Sequence, residues 1–283
     1  MKKLFVSCLL AASLASAARA QNPLGDLRVS GTLDFETQYV YRGKKVSDAA
    51  FEPSLDIRYA ALGGAFYATT WSNLPAGRRG AAPGPNQVDE LRFYTGYTRS
   101  LSFLTSGLSA DVGNTYYWYA ENGGNANALS RSDEIYLSLS YDTAPLLGFN
   151  LRPTLSYAHD WILDQNVVEG SLSYEWDLSK LTGVKGLSAV PRASVGWLEA
   201  GRLRGDQLNA GVPNWRDSYI YYSASLDLNY MINEYTLLFV GVRYSGNNDG
   251  TVFYPVYATT PQIGGSANNL WAGAGITFGL PVN

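Results

Sequence analysis

Val29, Leu33, Phe35, Tyr39 and Tyr41 share one parity of the chain, while Ser30, Thr32, Asp34, Glu36 and Gln38 share the other. A period of two places such sets on opposite faces of a strand. The pattern recurs in about twelve segments of roughly ten residues, enough for tilted strands to cross a bilayer. The first predicted strand runs from Leu27 to Tyr41. The second sets Phe51, Leu55, Ile57 and Tyr59 against Glu52, Asp56 and Arg58. The sixth alternates most cleanly, with Ile135, Leu137, Leu139 and Tyr141 opposite Glu134, Tyr136, Ser138 and Ser140. The seventh is expected to hold Pro153 at its middle, at the loss of one ladder hydrogen bond.

The connections alternate in length. Six are expected to be long and polar: Arg42–Ala50, Asn73–Val88, Glu121–Ser130, a loop near Asp164–Asn166, Gly201–Asp217 and Gly246–Asn268. The five between them are expected to be mostly short, with Leu178–Gly186 an exception. Membrane barrels sort their connections this way, with turns on the periplasmic side and loops outside. An even strand count permits closure, which lipid requires because an open edge leaves backbone groups unpaired. The expected fold is all-β: a transmembrane antiparallel up-and-down β-barrel of about twelve strands.

The first twenty residues break the pattern. Lys2 and Lys3, an apolar Leu4–Ala15 and the small-x-small site Ala18-Arg19-Ala20 predict a signal peptide over 1–20, leaving 21–283 as one barrel domain. Cys8, the single cysteine, would leave with it, which excludes disulfide scaffolds and Cys-ligated metals. Removing Lys2, Lys3 and Arg19 takes the formal charge from -3 to -6, with 18 basic against 24 acidic residues. That balance, with no basic cluster, argues against nucleic acid as a partner. The 21 Tyr suit strands and the aromatic girdles of a barrel.

Within strands one to three the sequence becomes specific. Tyr39-Val40-Tyr41-Arg42-Gly43, then Ser47, then Phe66-Tyr67-Ala68-Thr69-Thr70-Trp71-Ser72-Asn73 resemble the TorF family of porin-like proteins, long catalogued as bacterial proteins of unknown function. The matching residues cover about the first quarter of the chain. The resemblance implies an outer-membrane barrel with a channel role, and supplies neither a solute nor a catalytic residue. The insert Pro75–Pro85 exceeds the family pattern. The chain ends Gly279-Leu280-Pro281-Val282-Asn283 rather than on an aromatic, with Phe278 the nearest stand-in.

With the apolar parity toward lipid, the lumen receives Asp34, Glu36, Asp56, Arg58, Glu90, Arg92, Asp111, Glu134, Arg152, Glu169, Glu175, Arg192, Asp227 and Arg243. Charges facing each other across a lumen either set a transverse field for a pore or form an ion-pair network that plugs it. Twelve strands lie between the filled eight-stranded barrel and the open sixteen-stranded one. The acidic excess leans a pore toward cations. Arg42, Lys44 and Lys45 are expected at the outer rim, where they would meet anions or lipopolysaccharide phosphates.

His159, the only histidine, sits beside Asp160 and invites a lipid-hydrolase reading, but the residue two positions on is Trp161 rather than a serine nucleophile. Trp118, Tyr119, Trp161, Trp176, Trp197, Trp215 and Trp271 mostly fall at strand ends, as an interface belt or an aromatic slide for sugars. Asn247-Asn248-Asp249-Gly250 reads as a turn more readily than as a calcium loop. The expectation is therefore a non-enzymatic porin-like channel of the bacterial outer membrane, without cofactor or metal. Its expected partners are the lipid bilayer, lipopolysaccharide and small hydrophilic solutes or ions, with a homo-oligomer left open. A surface or adhesion barrel acting through its loops is the alternative, and a lipid hydrolase the third reading.

Overall fold

The computed structural model describes residues 27–76, 89–120, 131–200, 218–248 and 268–279. The predicted signal peptide and much of the long loops, with Trp215 and Asp249-Gly250, lie outside the described residues. Twelve antiparallel staves close into a barrel. They are β1 (Leu27–Glu36), a broken stave of β4 (Ala50–Phe51) and β5 (Ser54–Ala61), β6 (Gly64–Pro75), β7 (Asp89–Ser100), β8 (Leu108–Ala120) and β9 (Arg131–Tyr141). They continue with β10 (Thr154–Asp160), β11 (Gln165–Ser173) extended by β12 (Trp176–Asp177), β13 (Leu187–Ala200), β14 (Ser218–Asn233), β15 (Thr236–Asn247) and β16 (Asn268–Phe278). Each pairs with its sequence neighbour, and β1 pairs with β16 through Gly31↔Phe278 to Glu36↔Gly273, so no edge remains. Leu33, Phe35, Ile57, Phe93, Leu137, Leu155, Val195, Val240 and Leu270 are exposed on the outer face, while their strand neighbours turn inward. An apolar exterior around a polar interior suits lipid outside and water within.

The first strand departs from its sequence reading. β1 stops at Glu36, and the chain then forms a separate hairpin, β2 (Tyr39–Tyr41) and β3 (Lys44–Ser47). Arg42 (φ 47°) and Gly43 (φ 76°) make its two-residue turn. Two successive positive φ values match a type I′ turn, whose twist suits flanking strands; glycine takes such a φ freely, whereas arginine there is strained by about 1–2 kcal/mol. The hairpin is not an outer loop. Its side chains meet inner-face residues of β7, β8 and β9, and its turn carbonyls accept from inner-face residues of β14 and β15, so it lies across the lumen.

Connection lengths also differ from expectation. Trp161–Asp164, at the long-loop end, is a tight turn, held by the Asp160 carboxylate accepting the Ile162 and Leu163 N–H groups at 2.9 and 2.8 Å. At the short-turn end, two connections carry one-turn helices, α1 (Ala144–Leu147) and α2 (Ser179–Thr182), each closed by a left-handed glycine, Gly148 and Gly183. The Asp177 carboxylate accepts the Ser179 N–H at 2.8 Å where α2 begins. Pro153 precedes β10 rather than lying within a strand, so its missing donor interrupts no strand interior.

Tyrosine rings fold over cross-strand glycines along the inner face. Gly96 faces Tyr67 and Gly113 faces Tyr136 in register. A Cβ on Gly113 would stand 2.6 Å from both the Thr95 carbonyl oxygen and the Tyr136 hydroxyl. Gly113→Ala is therefore expected to displace Tyr136 and cost about 1–3 kcal/mol through overpacking. An unchanged urea midpoint for the detergent-folded variant would contradict this.

Candidate functional site: the hairpin and the chamber it bounds

The hairpin is pinned at both ends. At its base Tyr39 packs on Trp71, ring centroids 5.2 Å apart, and the buried Ser47 hydroxyl donates to Asn73 Oδ1 at 3.3 Å. At its tip Arg42 pairs with Glu134 at 2.6 Å, while its carbonyl accepts the Tyr219 hydroxyl at 3.2 Å. The Gly43 carbonyl accepts Asn247 Nδ2 at 2.7 Å. A Cβ at Gly43 would lie 2.5 Å from the Gly246 carbonyl oxygen, so the tip touches backbone on the opposite wall. Lys44 Nζ sits 4.1 Å from the centre of the Tyr219 ring.

Arg92 organises the near side. Its guanidinium stands 4.2, 4.7, 4.8 and 5.7 Å from the ring centres of Tyr41, Trp71, Tyr117 and Tyr39. It pairs with Glu90 at 2.6 Å and donates to the Tyr39 hydroxyl. Two hairpin rings and two wall rings thus share one cation, an attraction strengthened by the exclusion of water. The Tyr41 and Tyr117 hydroxyls meet at 2.9 Å.

A second charge network lines the wall. Glu36 pairs with Arg243 at 2.9 Å, Arg243 with Asp227 at 3.2 Å, and Asp227 with Arg192. The row crosses β1, β15, β14 and β13. Gly273 and Gly241 make room for it, since a Cβ at either would overlap the Glu36 or Asp227 carboxylate.

Between hairpin and wall lies a cavity of about 710 Å³, bordered by Arg42, Arg92, Glu134, Glu169, Arg192 and Arg243 and by many serines. Of the other charges expected in the lumen, Asp56 accepts from Arg58 at 2.8 Å and from Thr69 at 2.6 Å, and Asp111 accepts from Tyr67 at 2.6 Å. Asp34 lies on the inner face of β1, next to Glu36 on the same side. Arg152 and Glu175 stand apart from this group, bordering a second hollow of about 570 Å³ at the short-turn end. Arg42 and Lys44 are inside the barrel rather than on its rim, because the strand expected to carry them outward ends at Glu36. Lys45 pairs with Asp48 at 2.5 Å.

The sequence reading missed Tyr39, Tyr41, Trp71, Tyr117, Ser47 and Asn73 as site residues. The signal was present. The motif carrying the family resemblance supplies all of these except Tyr117, and the structure brings them together at the hairpin base. Trp118, Trp161, Trp176 and Trp197 are exposed, whereas Tyr119 is buried and Trp271 borders the cavity.

His159 donates through Nδ1–H to Asn166 Oδ1 at 3.0 Å and meets Trp161 edge to face. Asp160 bonds Ser132 at 2.5 Å on the inner side. Adjacent residues of a strand point to opposite faces. The histidine is thereby separated from the one Ser–Asp pair beside it, so no nucleophile–base arrangement forms there.

These features define a closed twelve-stave β-barrel with a polar lumen crossed by an inward hairpin. The chain belongs to the family described as "Bacterial protein of unknown function (Gcw_chp)", whose model matches residues 20–182. No curated protein matches. Among solved structures the chain is similar to LpxR from Salmonella typhimurium (11% identity, 89% of this chain and 100% of that one, TM-score 0.50). It is also similar to the NanC porin (12%, 90% and 100%, 0.48) and the KdgM porin (9%, 89% and 99%, 0.47). At these identities the likeness concerns the fold.

Proposed function

We propose that this protein is an outer-membrane channel for passive diffusion of small hydrophilic solutes or ions, narrowed by the inward hairpin. The observation that carries the reading is the polar cavity of about 710 Å³ between hairpin and wall, inside a barrel whose outer face is apolar. The signal-peptide pattern over 1–20 and the TorF resemblance support the same location and role. So do the long polar connections that the sequence pattern places at one end, which would face outward toward lipopolysaccharide.

Acids outnumber bases on the inner face, yet burial weakens their hold on the lumen. The side chains of Glu90, Glu36, Glu134 and Asp227 are only 0–9% exposed and paired with arginines, whereas that of Arg192 is 49% exposed. Selectivity should therefore respond to Arg192 more than to the acids. In a planar bilayer under a salt gradient, the refolded protein is expected to give discrete current steps. Arg192→Glu should move the reversal potential toward cation preference. A folded barrel giving no steps would replace the channel reading with a plugged barrel acting through its outer loops. An unmoved potential in the variant would remove Arg192 from the selectivity argument.

A further inference from the structure

One line of cross-strand neighbours on the inner face is unusual in composition. Ser140 faces Thr154, Thr154 faces Ser171, Ser171 faces Ser194, Ser194 faces Ser223, and Ser223 faces Ser245, each pair directly in register. The line ends on Asn269, opposite Ser245. Seven successive staves, β9 to β11 and β13 to β16, thus place a short hydroxyl or amide side chain at the same register. The line starts one residue from the short-turn end of β9 and finishes one residue from the long-loop end of β16, so it winds along the lumen rather than around a single level. In a barrel this follows from stagger: neighbours along the hydrogen-bond direction climb the axis because the strands tilt.

Cross-strand Ser and Thr pairs do stabilise sheets, and small side chains do fill barrels. Those needs alone would be met inside the wall. Here Ser171, Ser194, Ser223 and Ser245 all border the cavity, and Trp271, Tyr94 and Tyr136 present rings to the same space. The Ser171 hydroxyl makes no hydrogen bond among the described residues, while Ser194 and Ser223 bond only each other, at 2.8 Å. Asn269, the last member of the line, is 8% exposed, and its Nδ2 has no hydrogen-bond partner among the described residues. A buried amide donor without an acceptor is costly, and a ligand oxygen is one group that would satisfy it.

We propose that this hydroxyl track is a binding path for a neutral polyhydroxylated solute, an oligosaccharide of two or three sugar units. Each Ser hydroxyl both donates and accepts, as sugar hydroxyls do. A bound sugar can therefore exchange partners from one stave to the next without leaving a buried group unpaired. The rings supply apolar faces for the sugar C–H surface. The inference rests on the channel reading for its route through the barrel, but binding itself can be measured without conduction.

The test is titration calorimetry of detergent-folded protein with maltotriose, run beside potassium chloride conductance of the same preparation. Wild type is expected to bind with a Kd on the order of millimolar or tighter. The Ser171→Ala/Ser194→Ala/Ser223→Ala variant, its folding checked by heat-modifiable gel mobility, is expected to bind at least about tenfold more weakly. Should the triple variant not fold, single Ser194→Ala and Ser223→Ala variants should each weaken binding about threefold. Folded wild type that binds no maltotriose, or a folded variant that binds it as well as wild type, overturns the proposal. So does binding of glucuronate alone that Arg192→Gln abolishes, since recognition would then be by charge. Binding without any chloride current would leave the track standing and remove the channel reading.

Discussion

Excising the hairpin, by replacing residues 38–48 with a turn of three or four Gly and Ser residues, is expected to raise single-channel conductance by roughly threefold or more. The geometry makes the excision clean. Glu36 and Ala50, which flank the segment, already face each other in the β1–β4 ladder, so a short turn can join them without moving a stave. The removed residues fill lumen rather than build wall: Tyr39, Lys44, Val46 and Ser47 are buried against inner-face side chains. A barrel of twelve staves is wide enough to hold water once that strap is gone. Conductance in planar bilayers is the measurement, with heat-modifiable mobility as the control for closure. If the excised barrel closes and conducts no better than wild type, the hairpin is not the constriction.

The second large effect concerns Arg92. Arg92→Met is expected to lower unfolding stability by about 3–5 kcal/mol. The reason is less the lost attraction than what remains. Glu90 has a side chain with no exposed surface, and without Arg92 it becomes a buried carboxylate that has lost its paired arginine. Lysine should not rescue, because a compact ammonium cannot both pair with Glu90 and lie flat among the rings. Glu90→Gln in the Arg92→Met background should recover part of the loss, since the buried carboxylate charge that Arg92 paired with is gone. Urea or guanidinium unfolding of the folded barrel measures each variant. A shift under about 0.5 kcal/mol for Arg92→Met would mean that the cage contributes nothing to stability. Because Tyr39 and Tyr41 belong to the hairpin, the variant should also flicker between conductance levels as the strap loosens.

The alternation of residues such as Ile135, Leu137 and Leu139 with Glu134, Tyr136 and Ser138 depends only on the two-residue period of a strand. Stave number, face assignment and the antiparallel order were therefore legible in the chain. So was the inner-face placement of Glu36, Arg92, Arg192, Asp227 and Arg243. Turn lengths were less legible. Asp160 and Asp177 tighten or cap their connections through local side-chain bonds, which hydropathy does not register.

The course of residues 37–49 could not be read this way. Tyr39 and Tyr41 continue the apolar parity of β1, so a local rule extends the strand through them. What turns them inward is distant in sequence. Arg42 meets Glu134 92 residues away, and the Tyr219 hydroxyl reaches the Arg42 carbonyl across 177 residues. Asn247 reaches the Gly43 carbonyl across 204 residues. Only closure of the barrel brings these groups to one place. By itself the sequence determined a polar-lined barrel, because face and period are local properties of each strand. The tertiary structure alone decided that a motif written as the end of a strand becomes a strap across the lumen, because its partners sit on staves that meet only when the sheet closes.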